Sequence, residues 1–435
     1  MSSSIFALST PPGISALGIV RLSGPDTFKA IRTLLGPNQP FISKMRKTHL
    51  RKIYSVKGSL LDEAIVILYG EEKSFTGENM AELQLHGSHV VIKTVLESLS
   101  KLAYLRPAEA GEFTKRALEN NKLNLFQVEG LSDLLLADTE LQQEKALNTY
   151  SGVISNRISD WKIAVIKMLS LVEANIDFCD EVEVLNIASI LKRDLKVLEK
   201  ELLDERNGFK AAEAIRDGFE VAFVGKTNVG KSTLLNRLAK RNVSITSEIS
   251  GTTRDIIELR FNLSGLPVTF LDTAGLRSTD DSIEKVGVAN SVIRANDSDI
   301  RVFLVDDIQE IQGLGVKRKT CDIILRPKGD ISGSEPSVSG KTGKGLSFLL
   351  ETLSEILQKK VTKASSITRL RHLEKVNISL ENIELIKTQL ESDNPEIEII
   401  AEGFRSILRS FDGLLGLVDT EEVLGQIFSS FCIGK

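Results

Sequence analysis

Cysteine is scarce in this sequence, whose 435 residues include only Cys179, Cys321 and Cys432. These three are far apart, odd in number and without a Cys-x-x-Cys pair, which argues against a disulfide framework and a cysteine-based zinc site. Long apolar runs are also missing, since stretches such as residues 64–69 are far shorter than the roughly 20 residues that a membrane helix needs. No basic leader accompanies the first residues, Met1-Ser-Ser-Ser. We therefore predict a cytoplasmic protein without a membrane partner.

A strong excess of charge of either sign is absent as well. Lys and Arg number 55 and Asp and Glu number 59, so the formal net charge is −4. This balance supplies no general phosphate-binding field, so any nucleic-acid contact must come from a local patch or from a partner. With 42% hydrophobic residues, 31 Gly and 10 Pro, the composition also excludes collagen-like, low-complexity and wholly disordered chains.

Three kinds of sequence pattern divide the chain. Residues 1–118 carry short apolar runs between turn signals, which predicts an α+β, barrel-like domain. Gly and Pro nearly vanish in residues 119–214, where apolar residues recur at helical spacing, and the same period returns in residues 361–435. Residues 215–360 alternate between strands and helices, the pattern of a mostly parallel α/β sheet. We therefore predict a multidomain protein whose α/β domain is inserted into an all-α domain that is discontinuous in sequence.

Five strands are predicted in the inserted domain, and the first of them is followed by a phosphate-binding motif. The strands are residues 221–224, 256–263, 268–271, 302–305 and 322–325, with Ser264-Gly265 as a hairpin turn between two of them. The motif Gly225-Lys-Thr-Asn-Val-Gly-Lys-Ser232 fits G-x-x-x-x-G-K-[ST] and leads into a helical run.

In such a P-loop the backbone N–H groups surround the phosphates, Lys231 meets the β/γ charge, and Ser232 offers a hydroxyl to Mg²⁺. A glycine-rich turn without a ligand is the alternative. The predicted nucleotide contacts of the loop are Asn228, Val229, Gly230, Lys231, Ser232 and Thr233.

Later motifs predict the remainder of a GTPase site. Asp272-Thr-Ala-Gly275 ends a strand, where Asp272 can hold the water shell of Mg²⁺ and the Gly275 N–H can sense the γ-phosphate. Gly251-Thr-Thr-Arg-Asp255 lies where a switch loop must offer a threonine to Mg²⁺, and Thr253 is the candidate. Ser339-Gly340-Lys341 is the expected base-contacting loop. This order and spacing predict a small GTPase of the translation-factor type, in which Thr273 and Ala274 also line the nucleotide.

The guanine-reading motif departs from the usual Asn-Lys-x-Asp, because the chain has Pro327-Lys-Gly-Asp330. Asp330 can still pair with the N1–H and 2-amino groups of guanine, and the stem of Lys328 can still cover the base. Pro327 cannot replace the asparagine amide, and the loss should cost on the order of 1–3 kcal/mol of nucleotide affinity. GTP remains the predicted ligand, with the alternative that this segment is merely a turn and the base is read elsewhere.

The usual catalytic glutamine is also missing, because Leu276 follows Asp-Thr-Ala-Gly. Asn228 can help to coordinate a monovalent cation that replaces an arginine finger, and a nearby carboxylate can act through a water. Position and chemistry do not choose among Asp280, Asp281 and Glu284 for that carboxylate.

Motifs that are more distinctive than those of the nucleotide site occur along nearly the whole chain. They include Gly18-Ile-Val-Arg-Leu-Ser-Gly24, Ser74-Phe-Thr-Gly-Glu78, Glu82-Leu-Gln-Leu-His-Gly87, Pro107 to Phe113, Glu284-Lys-Val-Gly287 and the ending Ile427-Phe-Ser-Ser-Phe-Cys-Ile-Gly-Lys435. In these the chain resembles the MnmE family, also called TrmE, of tRNA modification GTPases. The resemblance implies a homodimer that forms a heterotetramer with an MnmG-type flavoprotein. Such a complex adds an aminomethyl or carboxymethylaminomethyl group to carbon 5 of the wobble uridine of certain tRNAs.

The resemblance also implies roles for residues of the G domain. Potassium-dependent pairing of G domains is expected, with K⁺ held by Asn228, Ser247, Ile249 and Thr252, of which Ser247 and Thr252 also join the GTP contacts. The motif match selects Glu284 for orienting the hydrolytic water, and Mg²⁺ would lie on Ser232 and Thr253.

A folate site in the first domain is implied in the same way. The positions matching the family's site for 5-formyltetrahydrofolate or a related tetrahydrofolate are Arg21, Glu82, Lys122 and Lys435. Basic groups suit the glutamate carboxylates of folate, and a carboxylate suits the pterin N–H edge. Cys432 resembles the family's carboxy-terminal cysteine and is a candidate catalytic thiol, with a plain buried cysteine as the alternative.

Two other functions fit part of the pattern. An RNA-binding ribosome-assembly GTPase shares the nucleotide motifs, but such proteins normally append a KH module with a G-x-x-G loop or a second G domain, and neither is visible in the sequence. A nucleotide-weakened scaffold would explain Pro327, but intact Lys231, Ser232, Asp272 and Glu284 argue against it.

Overall fold

The structure is a computed structural model that describes residues 3–177, 184–241, 258–272, 282–331, 335–417, 431 and 434. The chain divides into two compact units. Unit 1 comprises Met1–Ser132, Tyr150–Ile158 and Asp412–Lys435, and unit 2 comprises Asp133–Thr149 and Ser159–Phe411. Within the described ranges, no helix combines the length and apolar character needed to cross a membrane.

A six-stranded sheet in the order β3-β4-β5-β2-β1-β6 forms the centre of unit 1. Its strands are β1 (Ser4–Leu8), β2 (Ser15–Ser23), β3 (His49–Tyr54), β4 (Leu60–Tyr69), β5 (Met80–Gly87) and β6 (Leu105–Pro107). The helices of this region are α1 (Thr27–Leu35), α2 (His89–Ser100), α3 (Glu112–Glu119) and α4 (Leu125–Leu136). All pairings are antiparallel except that of β1 with β6.

Alternation along the strands gives the sheet of unit 1 two different faces. Val20, Leu22, Leu83 and Leu85 are fully buried in a core that helices α1 and α2 cover. Since successive side chains of a strand point to opposite faces, the intervening Arg21 is on the face away from those two helices.

The barrel-like form expected for this domain is not confirmed, because in the described residues the strands make an open sheet. Among the strands that the structure describes, edge strand β3 pairs with β4 alone, and edge strand β6 pairs with β1 alone. Closure depends on strand tilt and stagger, which apolar runs and turn signals do not reveal.

A five-stranded sheet in the order β11-β10-β7-β9-β8 forms the core of the α/β region of unit 2. Its strands are β7 (Phe219–Val224), β8 (Glu258–Leu263), β9 (Leu266–Asp272), β10 (Ile300–Leu304) and β11 (Ile323–Leu325). Helices α8 (Lys231–Arg241), α9 (Ser282–Asp297) and α10 (Leu346–Val361) connect or follow these strands. Each observed strand overlaps one of the five predicted strands, so this part of the prediction is confirmed.

Pairing within this sheet is parallel except at one edge, where β8 runs antiparallel to β9. The predicted hairpin turn joins these two strands. Ser264 and Gly265 have φ values of 53° and 88°, the pair of positive angles that a type I′ turn needs. The side chain of Asn262 accepts a hydrogen bond from the Gly265 N–H at 2.8 Å, which closes the turn.

The remaining helices come from both sides of the α/β region in sequence. They are α5 (Glu140–Tyr150), α6 (Val153–Asp177), α7 (Val184–Asp217), α11 (Leu370–Glu391) and α12 (Ile397–Leu415). Trp161 of α6 packs on Phe411 of α12 with ring centroids 5.7 Å apart, and Lys387 of α11 pairs with Glu199 of α7 at 3.1 Å. Helices before and after the α/β region therefore pack together, as the prediction of a discontinuous all-α part requires.

One ion pair is fully buried where β10 and β11 begin. Arg301 and Asp322 both have side chains with 0% exposure. Asp322 Oδ1 accepts hydrogen bonds from Arg301 Nε at 2.7 Å and from the Arg301 N–H at 3.1 Å, while Oδ2 accepts one from the Lys319 N–H at 2.6 Å. Neither charge has access to water, so each depends on the other for compensation.

We expect the substitution Asp322→Asn to lower the free energy of unfolding by about 3–5 kcal/mol, because it leaves the Arg301 guanidinium buried without its counter-charge. Urea denaturation followed by far-UV circular dichroism would measure the change. The matched control is Glu220→Gln, which weakens the partly exposed pair with Arg294 and should cost at most about 1 kcal/mol. Equal losses in the two variants would contradict a special role for the buried pair.

Candidate functional site

The predicted P-loop lies at the carboxyl end of β7, the middle strand of the parallel sheet. Gly225 approaches β10 so closely that an added Cβ would lie 2.7 Å from the Leu304 carbonyl oxygen. Asn228 and Gly230 have φ values of 58° and 110°, so the loop needs residues that tolerate left-handed backbone at these two points. Helix α8 then begins at Lys231, and its free N–H groups are suited to bind an anion.

Lys231 is 5% exposed, and its ammonium group lies inside the loop. Nζ donates hydrogen bonds to the carbonyl oxygens of Gly225 at 2.6 Å and of Lys226 at 2.9 Å. Burial lowers the pKa of Lys231, and the nearby Asp272 acts in the opposite direction without cancelling the effect. The loop thus holds a desolvated cation beside a helix N-terminus, an arrangement that favours a phosphate group.

Ser232 and Asp272 meet because β7 and β9 are neighbours in the sheet. Ser232 Oγ donates a hydrogen bond to Asp272 Oδ2 at 2.6 Å. Asp272 is 1% exposed, and its other oxygen, Oδ1, has no hydrogen-bond partner among the described residues. A buried carboxylate oxygen without a donor is suited to the water shell of a metal ion, so these two side chains fit the expected Mg²⁺ position.

The two loops expected to contact the base also come together. Asp330 follows β11, and a hydrogen bond from the Ser339 hydroxyl is the largest effect that lowers the pKa of its carboxyl group. The positive charges of Lys341 and Lys328 act in the same direction. Asp330 is therefore held as a carboxylate, the form that accepts hydrogen bonds from the edge of guanine.

Helix α8 positions the base-contacting loop directly. The Arg237 guanidinium donates to the carbonyl oxygens of Lys341 at 2.8 Å and of Thr342 at 3.0 Å. An added Cβ on Gly340 would lie 2.6 Å from the Leu234 nitrogen, so only glycine permits this close approach. The phosphate loop and the base loop are thus fixed to the same helix.

The unusual Pro327 is buried in a turn that does not need its missing N–H. On either side, Arg326 N–H donates to the Pro336 carbonyl at 3.0 Å and Gly329 N–H donates to the Val338 carbonyl at 3.1 Å. The proline is therefore compatible with the geometry that holds Asp330, although it offers no amide to the base.

Several predicted site residues lie outside the described part of the chain. They are Ser247, Ile249, Thr252, Thr253, Thr273, Ala274, Gly275, Cys432 and Lys435, together with the side chain of Glu284. Of the described GTP-site residues, the structure brings Lys231, Ser232 and Asp272 into one group.

A second group of predicted residues lies on the open face of the sheet in unit 1. Arg21 and Glu82 stand opposite each other on β2 and β5, and Glu82 Oε1 accepts from Arg21 Nη2 at 2.9 Å and from Nε at 3.1 Å. The carbonyl oxygen of Gly434 accepts from Arg21 Nη1 at 3.4 Å and from Ser9 Oγ at 3.1 Å. The described residue Gly434 therefore lies beside Arg21.

Aromatic residues that the sequence analysis did not single out surround Arg21. The guanidinium carbon lies 5.9 Å from the ring centre of Phe75 and 5.8 Å from that of Phe113. Both phenylalanines belong to motifs that carried the family resemblance, and that was the available signal. Lys122 is held separately by a hydrogen bond from Nζ to the Glu72 carbonyl at 2.8 Å.

Tyr69 was also missed, and it adjoins this group. Its hydroxyl donates to Glu82 Oε2 at 3.4 Å. Burial and the charge of Glu82 raise the pKa of Tyr69, so the phenol stays protonated and remains a donor.

Family models match almost the whole chain. The model of the GTP-binding protein TrmE N-terminus matches residues 4–122, and that of the MnmE helical domain matches residues 125–432. Among solved structures, Aquifex aeolicus Era bound to GDP·AlF4⁻ is similar with a TM-score of 0.25 and 23% identity, over 38% of this chain and 67% of that chain. The cytosolic domain of the Thermotoga maritima FeoB iron transporter in its GMPPNP form has a TM-score of 0.26 and 17% identity, over 45% of this chain and 98% of that one.

Relatives of full length share the sequence as well. The tRNA modification GTPase MnmE of Cereibacter sphaeroides is 44% identical over 432 residues, which cover 99% of both chains. The tRNA modification GTPase MnmE of Dinoroseobacter shibae is 42% identical over 433 residues, again 99% of each chain. With identity of this level from end to end and a P-loop site in the expected place, the chain belongs to the MnmE family of tRNA modification GTPases.

Proposed function

We propose that this chain is the GTP-hydrolysing subunit of a tRNA-modification complex. The observation that carries the proposal is the arrangement of Lys231, Ser232 and Asp272 at the carboxyl ends of two neighbouring parallel strands. Lys231 binds the β/γ charge of GTP, and the N-terminus of α8 binds the adjacent phosphate oxygens. Asp330 then selects guanine, which presents the donors that adenine lacks.

We further propose that Ser232 and Thr253 hold Mg²⁺, with Asp272 in its water shell. When bound, the ion neutralises the charge of the phosphates. Asn228, with Ser247, Ile249 and Thr252, would hold K⁺ where two G domains of a homodimer pair. Glu284 orients the attacking water, because Leu276 stands in place of the usual glutamine and cannot do so.

The reaction served by this hydrolysis is, in our proposal, the addition of an aminomethyl or carboxymethylaminomethyl group to carbon 5 of the wobble uridine of tRNA. The partner is an MnmG-type flavoprotein in a heterotetramer. The name carried by the relatives, tRNA modification GTPase, supports tRNA as the substrate. Cys432 remains a candidate thiol for this chemistry. Cytoplasmic location and the domain limits at residues 118, 214 and 360 also stay predictions.

We propose that the open face of the sheet in unit 1 binds 5-formyltetrahydrofolate or a related tetrahydrofolate, which would serve as the one-carbon donor. Glu82 would accept from the pterin N–H edge, while Arg21, Lys122 and Lys435 would face the glutamate carboxylates. Phe75 and Phe113 supply apolar walls beside Arg21, a setting typical of sites that hold flat aromatic ligands.

The K⁺ site predicts a cation-dependent rate. GTP hydrolysis by the purified chain should be much faster in KCl than in matched NaCl, and ATP should serve poorly. The variant Asn228→Gly should lose the K⁺ stimulation, because it removes the amide ligand while its backbone easily adopts the φ of 58° seen here. Lys226→Ala, which changes an exposed neighbour in the same loop, is the control. A wild-type rate indifferent to the cation would refute the proposed K⁺ site.

The choice of Glu284 over its neighbours predicts a separation of binding from catalysis. Glu284→Ala should bind a fluorescent GTP analogue as tightly as the wild type, yet hydrolyse GTP about a hundredfold more slowly or worse, because the attacking water loses its orienting base. Asp280→Ala and Asp281→Ala are the matched controls and should keep the rate. Unchanged hydrolysis in Glu284→Ala would overturn the assignment.

The folate site predicts a loss of affinity when its cation is removed. Arg21→Gln should weaken binding of 5-formyltetrahydrofolate, measured by calorimetry, by roughly 10- to 100-fold, the value of a charge-assisted hydrogen bond. The control Lys29→Gln removes a cation from helix α1, which covers the opposite face of the sheet. If both variants bound the ligand as the wild type does, Arg21 would have no part in the site.

A further inference from the structure

The distribution of charge in unit 1 is strongly uneven, although the chain as a whole is nearly neutral. Residues 27–61 contain eight Lys and Arg and no Asp or Glu. Six of these cations fall in the short stretch that leads into strand β3, forms it and turns out of it. They are Lys44, Arg46, Lys47, Arg51, Lys52 and Lys57, and we call them the β3 cations.

The β3 cations are available to a partner. All are exposed except Arg51, which is half-buried. Within the described part of the chain, none of the six has a carboxylate oxygen within ion-pair distance. The acidic residues of strand β4 compensate little of this positive charge. The Asp62 carboxylate is already hydrogen-bonded to His86, through the ring nitrogen Nδ1 at 2.7 Å and the backbone N–H at 2.8 Å. Glu63 stands opposite Lys52 in the register and offsets part of one charge.

Their arrangement follows the edge of the sheet. Strand β3 pairs only with β4 among the described strands, so no described strand lies along its other side. Lys44, Arg46 and Lys47 precede the strand and Lys57 lies in the turn after it, so the cations span the whole strand, about 20 Å at ~3.3 Å per residue. A row of cations of this length matches a phosphodiester backbone better than it matches a single small anion.

Protection of an edge strand is the plainer explanation for lysines there, since charges prevent edge-to-edge pairing. Two observations indicate that edge protection does not explain all six β3 cations. Three of the cations precede the strand and one follows it. The strand edge is already occupied near its middle by Gln39, whose amide donates to the Lys52 carbonyl at 2.7 Å and accepts from the Lys52 N–H at 3.2 Å.

We propose that the β3 cations form a contact surface for the phosphate backbone of tRNA. The inference rests on the proposed function for the identity of the RNA, and it assigns that RNA a place on this chain. Phosphate contacts of this kind fix the position of a nucleic acid without reading its sequence, so they would orient tRNA while other groups select the base. An anionic membrane is the competing partner, but the basic segment is a strand and loop and not the amphipathic helix typical of surface-bound proteins.

The test compares two triple variants of the full chain. Lys44→Ala, Lys47→Ala and Lys52→Ala together remove three exposed β3 cations. Lys192→Ala, Lys196→Ala and Lys200→Ala together remove three exposed cations from one face of α7 and serve as the control. Binding of fluorescently labelled bulk tRNA is measured by anisotropy over a series of KCl concentrations, and the GTP hydrolysis rate and thermal melting confirm that both variants fold.

We expect the β3 variant to bind tRNA roughly 10- to 100-fold more weakly near 0.1 M salt and the control to bind as the wild type does. The slope of log K against log[KCl] should fall in magnitude by about 2 to 3 for the β3 variant, since each lost phosphate contact removes about one unit or slightly less. Normal GTP hydrolysis in this variant would show that the change concerns RNA binding.

Other outcomes overturn the proposal in distinguishable ways. If the β3 variant binds tRNA normally, or if both variants weaken equally, the surface is wrong while tRNA remains a partner. If the wild type binds no tRNA but hydrolyses GTP, both this surface and the tRNA part of the proposed function fail. Loss of binding to phosphatidylserine vesicles with intact tRNA binding would assign the cations to a membrane instead.

Discussion

The hydrogen bond between Ser232 and Asp272 depends on a parallel pairing that residues far apart in sequence must make. Strands β7 and β9 lie side by side because their apolar runs are buried on both faces, as is typical of parallel sheets. Their carboxyl ends therefore meet at one edge, and the serine that opens α8 comes within 2.6 Å of the aspartate that ends β9. The phosphate site is therefore a consequence of sheet order.

Strand register likewise determines which side chains lie on the open face of the sheet in unit 1. Arg21 and Glu82 are direct partners in the β2–β5 ladder, so a shift of one residue would turn one of them into the core beneath α1 and α2. The Gly434 carbonyl oxygen also accepts a hydrogen bond from Arg21, which brings two distant parts of the sequence together. Such closure cannot be read from local pattern, because it joins residues separated by more than 400 positions.

Most features that could be predicted from the sequence rest on short-range sequence patterns. The five strands of the α/β region, the Ser264-Gly265 turn and the P-loop all follow from short-range patterns with a clear physical cause. The barrel-like form of the first domain was not confirmed, because strand order and closure depend on contacts distant in sequence. The grouping of Tyr69, Phe75 and Phe113 around Arg21 and Glu82 likewise depends on contacts distant in sequence, so local pattern does not predict it.

Burial determines the electrostatics of the P-loop, because Lys231 and Asp272 are 5% and 1% exposed. Inside the loop the Lys231 ammonium donates to the carbonyl oxygens of Gly225 and Lys226, and burial lowers its pKa despite the nearby carboxylate of Asp272. Asp272 likewise keeps one buried oxygen without a donor among the described residues. Because burial disfavours an uncompensated charge, both side chains favour ligands of opposite charge at this edge of the sheet.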